Sequence, residues 1–157
     1  MNIIGPEILS GIIAGIIATA IIVFLRQIGL KIIRPWWEDF LYDDARIEGT
    51  WKSKTDYSGY VEIEVWKLEQ IGHSIKGTVT VMQGDDQGKT YTIEGKFKNL
   101  ILTGIYTSTD KSAIDRGTIN LMLVNNGHTL TGHGTYYYDP DHIIKTINYT
   151  WQKEQKA

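Results

Sequence analysis

The sequence predicts a mainly β protein: an N-terminal transmembrane helix followed by a small eight-stranded up-and-down antiparallel β-barrel. Three observations lead there. An apolar run without a charged residue extends from Ile8 to Leu25, a period-two alternation begins at Ile47, and turn signals recur every eight to twelve residues after it. The chain of 157 residues divides accordingly into a membrane helix (1–27), a juxtamembrane connector with a short helix (28–45) and a barrel domain (46–157).

The apolar run, ILSGIIAGIIATAIIVFL, is long enough to cross the hydrocarbon of a bilayer as a helix. A cleaved secretory signal would carry a basic flank before the run and a small-residue cleavage site after it. Here only MNIIGPE precedes it, and the Ala18-Thr19-Ala20 triplet lies inside it, so retention as an anchor is the expectation. Arg26, Lys31 and Arg34 follow the run directly. Basic flanks resist translocation, which orients the anchor as a single pass with the β domain in the cytoplasm. Absence of cysteine fits a reducing compartment and fits a disulfide-free exported protein equally.

Within the run, Gly11 and Gly15 make a GxxxG pair that Thr19 extends, and Ser10, Ala14 and Ala18 lie beside it. Small residues at this spacing let helix backbones approach closely, a main source of association in lipid. Self-association into a homo-oligomer through this face is expected, beside a plain anchoring role.

The connector places Trp36, Trp37, Phe40 and Leu41 at helix-like spacing after Pro35, a residue suited to a first helical turn. A short helix from about Pro35 to Asp44 along the membrane surface, or capping the barrel, is expected.

From Ile47 eight runs alternate: IEGTWKSKT, YVEIEVWKLEQ, SIKGTVTVM, KTYTIEGKFK, LILTGIYTS, RGTINLMLV, TLTGHGTYYY and HIIKTINYTWQK. Their short connections favour a meander, and closing it removes two exposed edges. Taking Tyr91, Ile93 and Phe97 as inward puts Gly95 inward too. Gly49, Gly77, Gly104, Gly117, Gly132 and Gly134 share the inward parity of their strands. Glycine there permits tight coiling and leaves room for large aromatics or a ligand. Trp51, Tyr91, Phe97, Tyr106, Tyr136 and Tyr138 fall on the same parity, with Tyr149 and Trp151. Either these rings fill the barrel, or they line a pocket in which tyrosine hydroxyls, Ser53, Thr55 and Ser108 orient a ligand.

Charge and motif content exclude several functions. Residues 46–157 hold 13 basic and 13 acidic side chains within a chain of net charge -2, which gives no electrostatic grip on duplex nucleic acid. The rim away from the start of the first strand is acidic, with Asp85, Asp86, Asp110, Asp115, Asp139 and Asp141 against Lys89, Lys111 and Arg116; ordinary turn chemistry accounts for it, and no metal or cofactor is implied. His73, His128, His133 and His142 lack ligand spacing. No nucleophile elbow, P-loop or pair of inward carboxylates is read from the sequence, so no enzyme is expected.

Gly49-Thr50-Trp51, LTGIY at 102–106 and LTGHGTYYY at 130–138 resemble the meander barrels of the lipocalin and avidin type. With its N-terminal membrane segment the chain is similar to the membrane-anchored β-barrel effectors of bacterial CBASS anti-phage defence, the two-transmembrane, β-strand-rich class. This resemblance implies a barrel that senses a cyclic nucleotide and membrane segments that assemble and disrupt the inner membrane. The chain departs from that class in having one clear span. On that reading bases stack on Trp51, Tyr91, Tyr106, Tyr136 and Tyr138, and phosphates meet Arg116, Lys145 or Arg46, although Arg116 falls on the outward parity. The alternative function is an anchored lipocalin-like module that binds a small molecule or partner protein without disrupting the membrane.

Overall fold

The structure, a computed structural model, describes residues 5–57, 60–138 and 142–154. It divides into two units, Met1–Leu41 and Tyr42–Ala157.

The first unit is one helical rod. Helix α1 spans Pro6–Ile28, a π-helical turn covers Gly29–Ile33, and α2 runs Arg34–Phe40. Leu, Ile and Ala carry α1, with Pro6 in the first turn, where its missing N–H costs no hydrogen bond. The short helix expected from Pro35 is a continuation of α1 rather than a separate element. A proline inside a helix clashes with the carbonyl four residues back. The wider turn absorbs this, with the Arg34 N–H reaching the Gly29 carbonyl five residues earlier. Ser10–Phe40 is therefore one 31-residue helix with an apolar stretch sufficient, by length and composition, to cross a membrane. At about 1.5 Å per residue it reaches about 45 Å, beyond a hydrocarbon core of about 30 Å. The second helix ends at Phe40 rather than Asp44, and its rings meet one another, with Trp36 stacked on Phe40 at 5.9 Å.

The second unit is a closed barrel of eight antiparallel strands in chain order. The strands are β1 (Gly49–Tyr57), β2 (Tyr60–Ile71), β3 (Ser74–Gln83), β4 (Thr90–Lys98), β5 (Ile101–Ser108), β6 (Arg116–Val124), β7 (Thr129–Tyr138) and β8 (Ile143–Lys153). The tight β4–β5 turn sets Asn99 and Leu100 at φ of 52° and 64°, the left-handed pair that matches strand twist in a two-residue hairpin. Turns expected at Ser58-Gly59 and at 139–141 lie outside the described residues.

Inward parity is as the glycines indicate. Trp51, Trp66, Ile75, Val79, Ile93, Phe97, Leu102, Ile119, Leu121, Leu130 and Trp151 are all buried in one core. Two of the glycines accommodate rings rather than leave space. A Cβ on Gly117 would collide with the Tyr106 ring and the Thr135 carbonyl, and one on Gly134 would sit 2.5 Å from the Tyr149 ring. The aromatics thus lie directly on backbone, which lets bulky side chains fit inside an eight-stranded ring.

Candidate functional site

The barrel has a sealed end and a polar end. At the end where β1 begins, Trp51 is fully buried and its indole N–H donates to the Ile47 carbonyl at 2.8 Å. The Ile47 N–H in turn donates to the Gln70 side-chain carbonyl at 2.8 Å, and the Gln70 amide donates to the Gly72 carbonyl at 2.9 Å. Tyr42 packs edge-on against His73 at 5.0 Å, and the Lys153 ammonium stands 5.4 Å from the Trp51 ring centroid. Trp51 is a plug with every polar edge paired. Its assignment as a ligand-stacking residue is corrected accordingly.

The opposite end carries the other candidates. Tyr91 is buried and donates its hydroxyl to Asp86 at 3.3 Å; half-buried Tyr106 donates to the Thr135 carbonyl at 3.3 Å. Their rings meet edge-to-face at 5.8 Å, and Trp66 meets Tyr106 and Tyr149 the same way at 6.1 and 6.0 Å. Tyr136 packs half-buried against this cluster, and Lys145, its β8 register partner, shares the inward face and is half-buried. Arg116 is exposed on the outer face, its guanidinium Nε turned to the Ile114 carbonyl at 3.1 Å, so it does not join the interior group. Arg46 lies at the sealed end, paired with Glu48 at 3.3 Å and over the Tyr42 ring. The Tyr138 side chain lies outside the described residues. The structure therefore brings Tyr91, Tyr106, Tyr136 and Lys145 to one end and separates Trp51 and Arg116 from them.

Two residues missed in the sequence dominate this end. Glu62 and Glu64 share the inward face of β2 with Trp66 and Leu68, so a pair of inward carboxylates is present after all. Glu64 is 7% exposed, and the Trp66 indole N–H donates to it at 2.9 Å. Burial pushes its carboxyl up to about 8, opposed by the Trp66 hydrogen bond and reinforced by the neighbouring Glu62 charge. Glu62, nearer the mouth and half-buried, is also raised, first by burial and then by the acidic residues of the 84–88 turn, Asp86 and Asp85. Burial raises the phenols of Tyr91 and Tyr106 as well, so both stay protonated donors. At neutral pH the pair holds a proton, and the interior is hydrogen-bonding rather than strongly anionic. Alternation of Val61, Ile63 and Val65 hides this: a reading of β2 by hydrophobicity turns it inside out, and Trp66 with Leu68 supply the correct parity.

The seam between β1 and β8 is the second feature of this end. Among the described residues, these strands pair at Trp51↔Lys153, Lys52↔Gln152 and Ser53↔Trp151, and the ladder goes no further. Beyond that rung Lys54–Tyr57 and Ile143–Thr150 keep their other neighbours, β2 and β7, but not each other. Ser53 Oγ and Trp151 Nε1, at the last closed rung, are buried without a hydrogen-bond partner. Ser53 faces Glu64 across β1–β2, and Trp151 stacks on Trp66 at 4.0 Å.

Outside the barrel, Lys89 bridges Asp86 at 2.9 Å and Asp115 at 3.0 Å on the acidic rim. A groove of about 630 Å³ runs over the outer face of β3–β5, edged by Lys76, Glu94, Lys96 and Lys98. The rim cluster meets the interior group through Asp86, which accepts from the Tyr91 hydroxyl, whereas the groove is lined by none of that group. The chain matches no family model, no curated protein and no solved structure.

Proposed function

We propose that this chain is a membrane-anchored effector whose barrel senses a small nucleotide-type second messenger, a cyclic di- or oligonucleotide, at its polar end. The observation that carries the reading is the combination of a barrel sealed at one end and hydrogen-bonding at the other with a 31-residue helix whose apolar stretch is long enough to cross a membrane. Tyr91, Tyr106 and Tyr136 offer faces on which bases stack, and Lys145 offers a cation at the mouth. A protonated Glu64 removes the repulsion that two buried carboxylates would otherwise set against phosphates.

On this reading the helix is the output element. Arg26, Lys31 and Arg34 hold its C-terminal flank, and the barrel, on the cytoplasmic side of a bacterial inner membrane. Gly11 and Gly15 have nothing within 4 Å of where a Cβ would stand, and the face they share with Ser10, Ala14, Ala18 and Thr19 is exposed. Ligand-driven packing of these faces into a homo-oligomer disrupts the membrane in an anti-phage response. The second reading, an anchored binding module without membrane disruption, is favoured by the single continuous helix where the resembled class has two spans.

Titration calorimetry of the full chain in detergent micelles with cyclic di- and trinucleotides spanning the four bases tests the sensor. Dye release from liposomes containing the chain separates the two readings. Binding with ligand-dependent leakage supports the effector, binding without leakage supports the module, and absent heats across the whole panel overturn the nucleotide reading.

A further inference from the structure

The split in the β1–β8 seam, the two orphaned polar atoms at its last rung and the buried carboxyl beside them lie together on one inward surface. Ser53 is 0% exposed, Trp151 is 0% exposed and Glu64 is 7% exposed, so water does not satisfy these groups from the surface. A buried polar atom without a partner costs roughly 1–3 kcal/mol, and native folds keep such atoms where something else completes them. Their chemistry specifies that something. The Trp151 indole is a donor only and requires an acceptor, while the Ser53 hydroxyl can donate or accept.

We propose that the split seam admits a planar head carrying an N–H donor and a carbonyl or ring-nitrogen acceptor side by side, the edge a nucleobase presents for pairing, and that Ser53 accepts from that edge while the Trp151 indole donates to it. The proposal rests on the sensor reading above and gives it a direction: the base enters between Lys54–Tyr57 and Ile143–Thr150, while the phosphates stay at the mouth near Lys145. Stacked Trp66 and Trp151, with Tyr149 edge-on to both, form a rigid aromatic floor for the incoming ring. Because the seam is unpaired beyond Ser53, insertion breaks no ladder hydrogen bond of β1 with β8.

The test takes the tightest-binding member of the cyclic nucleotide panel and its analogue methylated on the pairing edge, with the full chain in micelles. Edge methylation is expected to weaken binding tenfold or more. Ser53→Ala is expected to weaken binding of the unmodified probe while leaving the melting temperature unchanged or higher, since it deletes an unpaired polar atom. Equal affinity for the methylated and unmodified probes, or Ser53→Ala binding as the parent does, overturns the seam site and leaves the sensor standing. No binding by any member of the panel overturns both.

Discussion

The Trp66 indole N–H donates to the Glu64 carboxyl at 2.9 Å, a contact between two side chains of one strand that point the same way into the barrel. It holds a buried acid in place next to a Trp66–Trp151 stack, and it makes the acid's protonation a property of the fold.

Stability should fall as pH rises through this group. Glu64 has an ordinary value of 4.5 and is raised to about 8, so the folded chain binds more protons than the unfolded chain between those values. The stabilisation is fully present below the lower value and is lost as pH passes through the upper one, by an amount on the order of a few kcal/mol. Thermal melts between pH 5 and 9 should show a declining melting temperature that flattens in Glu64→Gln. An unchanged slope in that variant would assign the effect elsewhere.

Gly134→Ala should destabilise the barrel by about 1–3 kcal/mol, because the added methyl meets the Tyr149 ring at 2.5 Å. Gly11→Ala should leave the barrel's stability unchanged, since nothing lies within 4 Å of the new atom. Denaturant titration of both variants checks the contrast.

Trp51→Ala should cost about 3–5 kcal/mol, through lost packing and through the Ile47 carbonyl left without its indole donor. Chemical denaturation of the full chain in micelles reads it. A loss below 1 kcal/mol would refute the plug.

Replacing Gly11 and Gly15 with Leu should abolish energy transfer between labelled copies of the chain in liposomes, with ligand binding by the barrel unaffected. Retained transfer would show that the small-residue face is not the contact.

Much of this architecture is legible in the sequence because its signals are local. The apolar run, the period-two alternation and the glycine parity each lie within one element, and each predicts what the structure has. Glu62 and Glu64 are hidden because Val61, Ile63 and Val65 make the outward face of β2 the more apolar one there, so local hydrophobicity orients the strand the wrong way; only the longer reach to Trp66 and Leu68 corrects it. Pro35 reads as a helix start, whereas a π turn upstream lets the helix run through it. Arg116 carries the right chemistry for a ligand, but its outward parity is already legible in its own strand; the pairing of Trp51 with the Ile47 carbonyl is not, because it depends on how the chain before β1 folds over the barrel end. The seam is the extreme case, since it joins the first strand to the last.

That join also sets an order of assembly. In a meander every other strand pair forms from a hairpin between sequence neighbours, but β1 waits for β8, the last of the eight in chain order. Closing that long loop is repaid by a ladder of three rungs, so the seam is the joint that opens first when the barrel breathes. β1 is also the strand to which the N-terminal helix is covalently tied, through residues 41–48. A molecule that locks or wedges the seam therefore acts on the strand that continues, through one short connector, into the N-terminal helix.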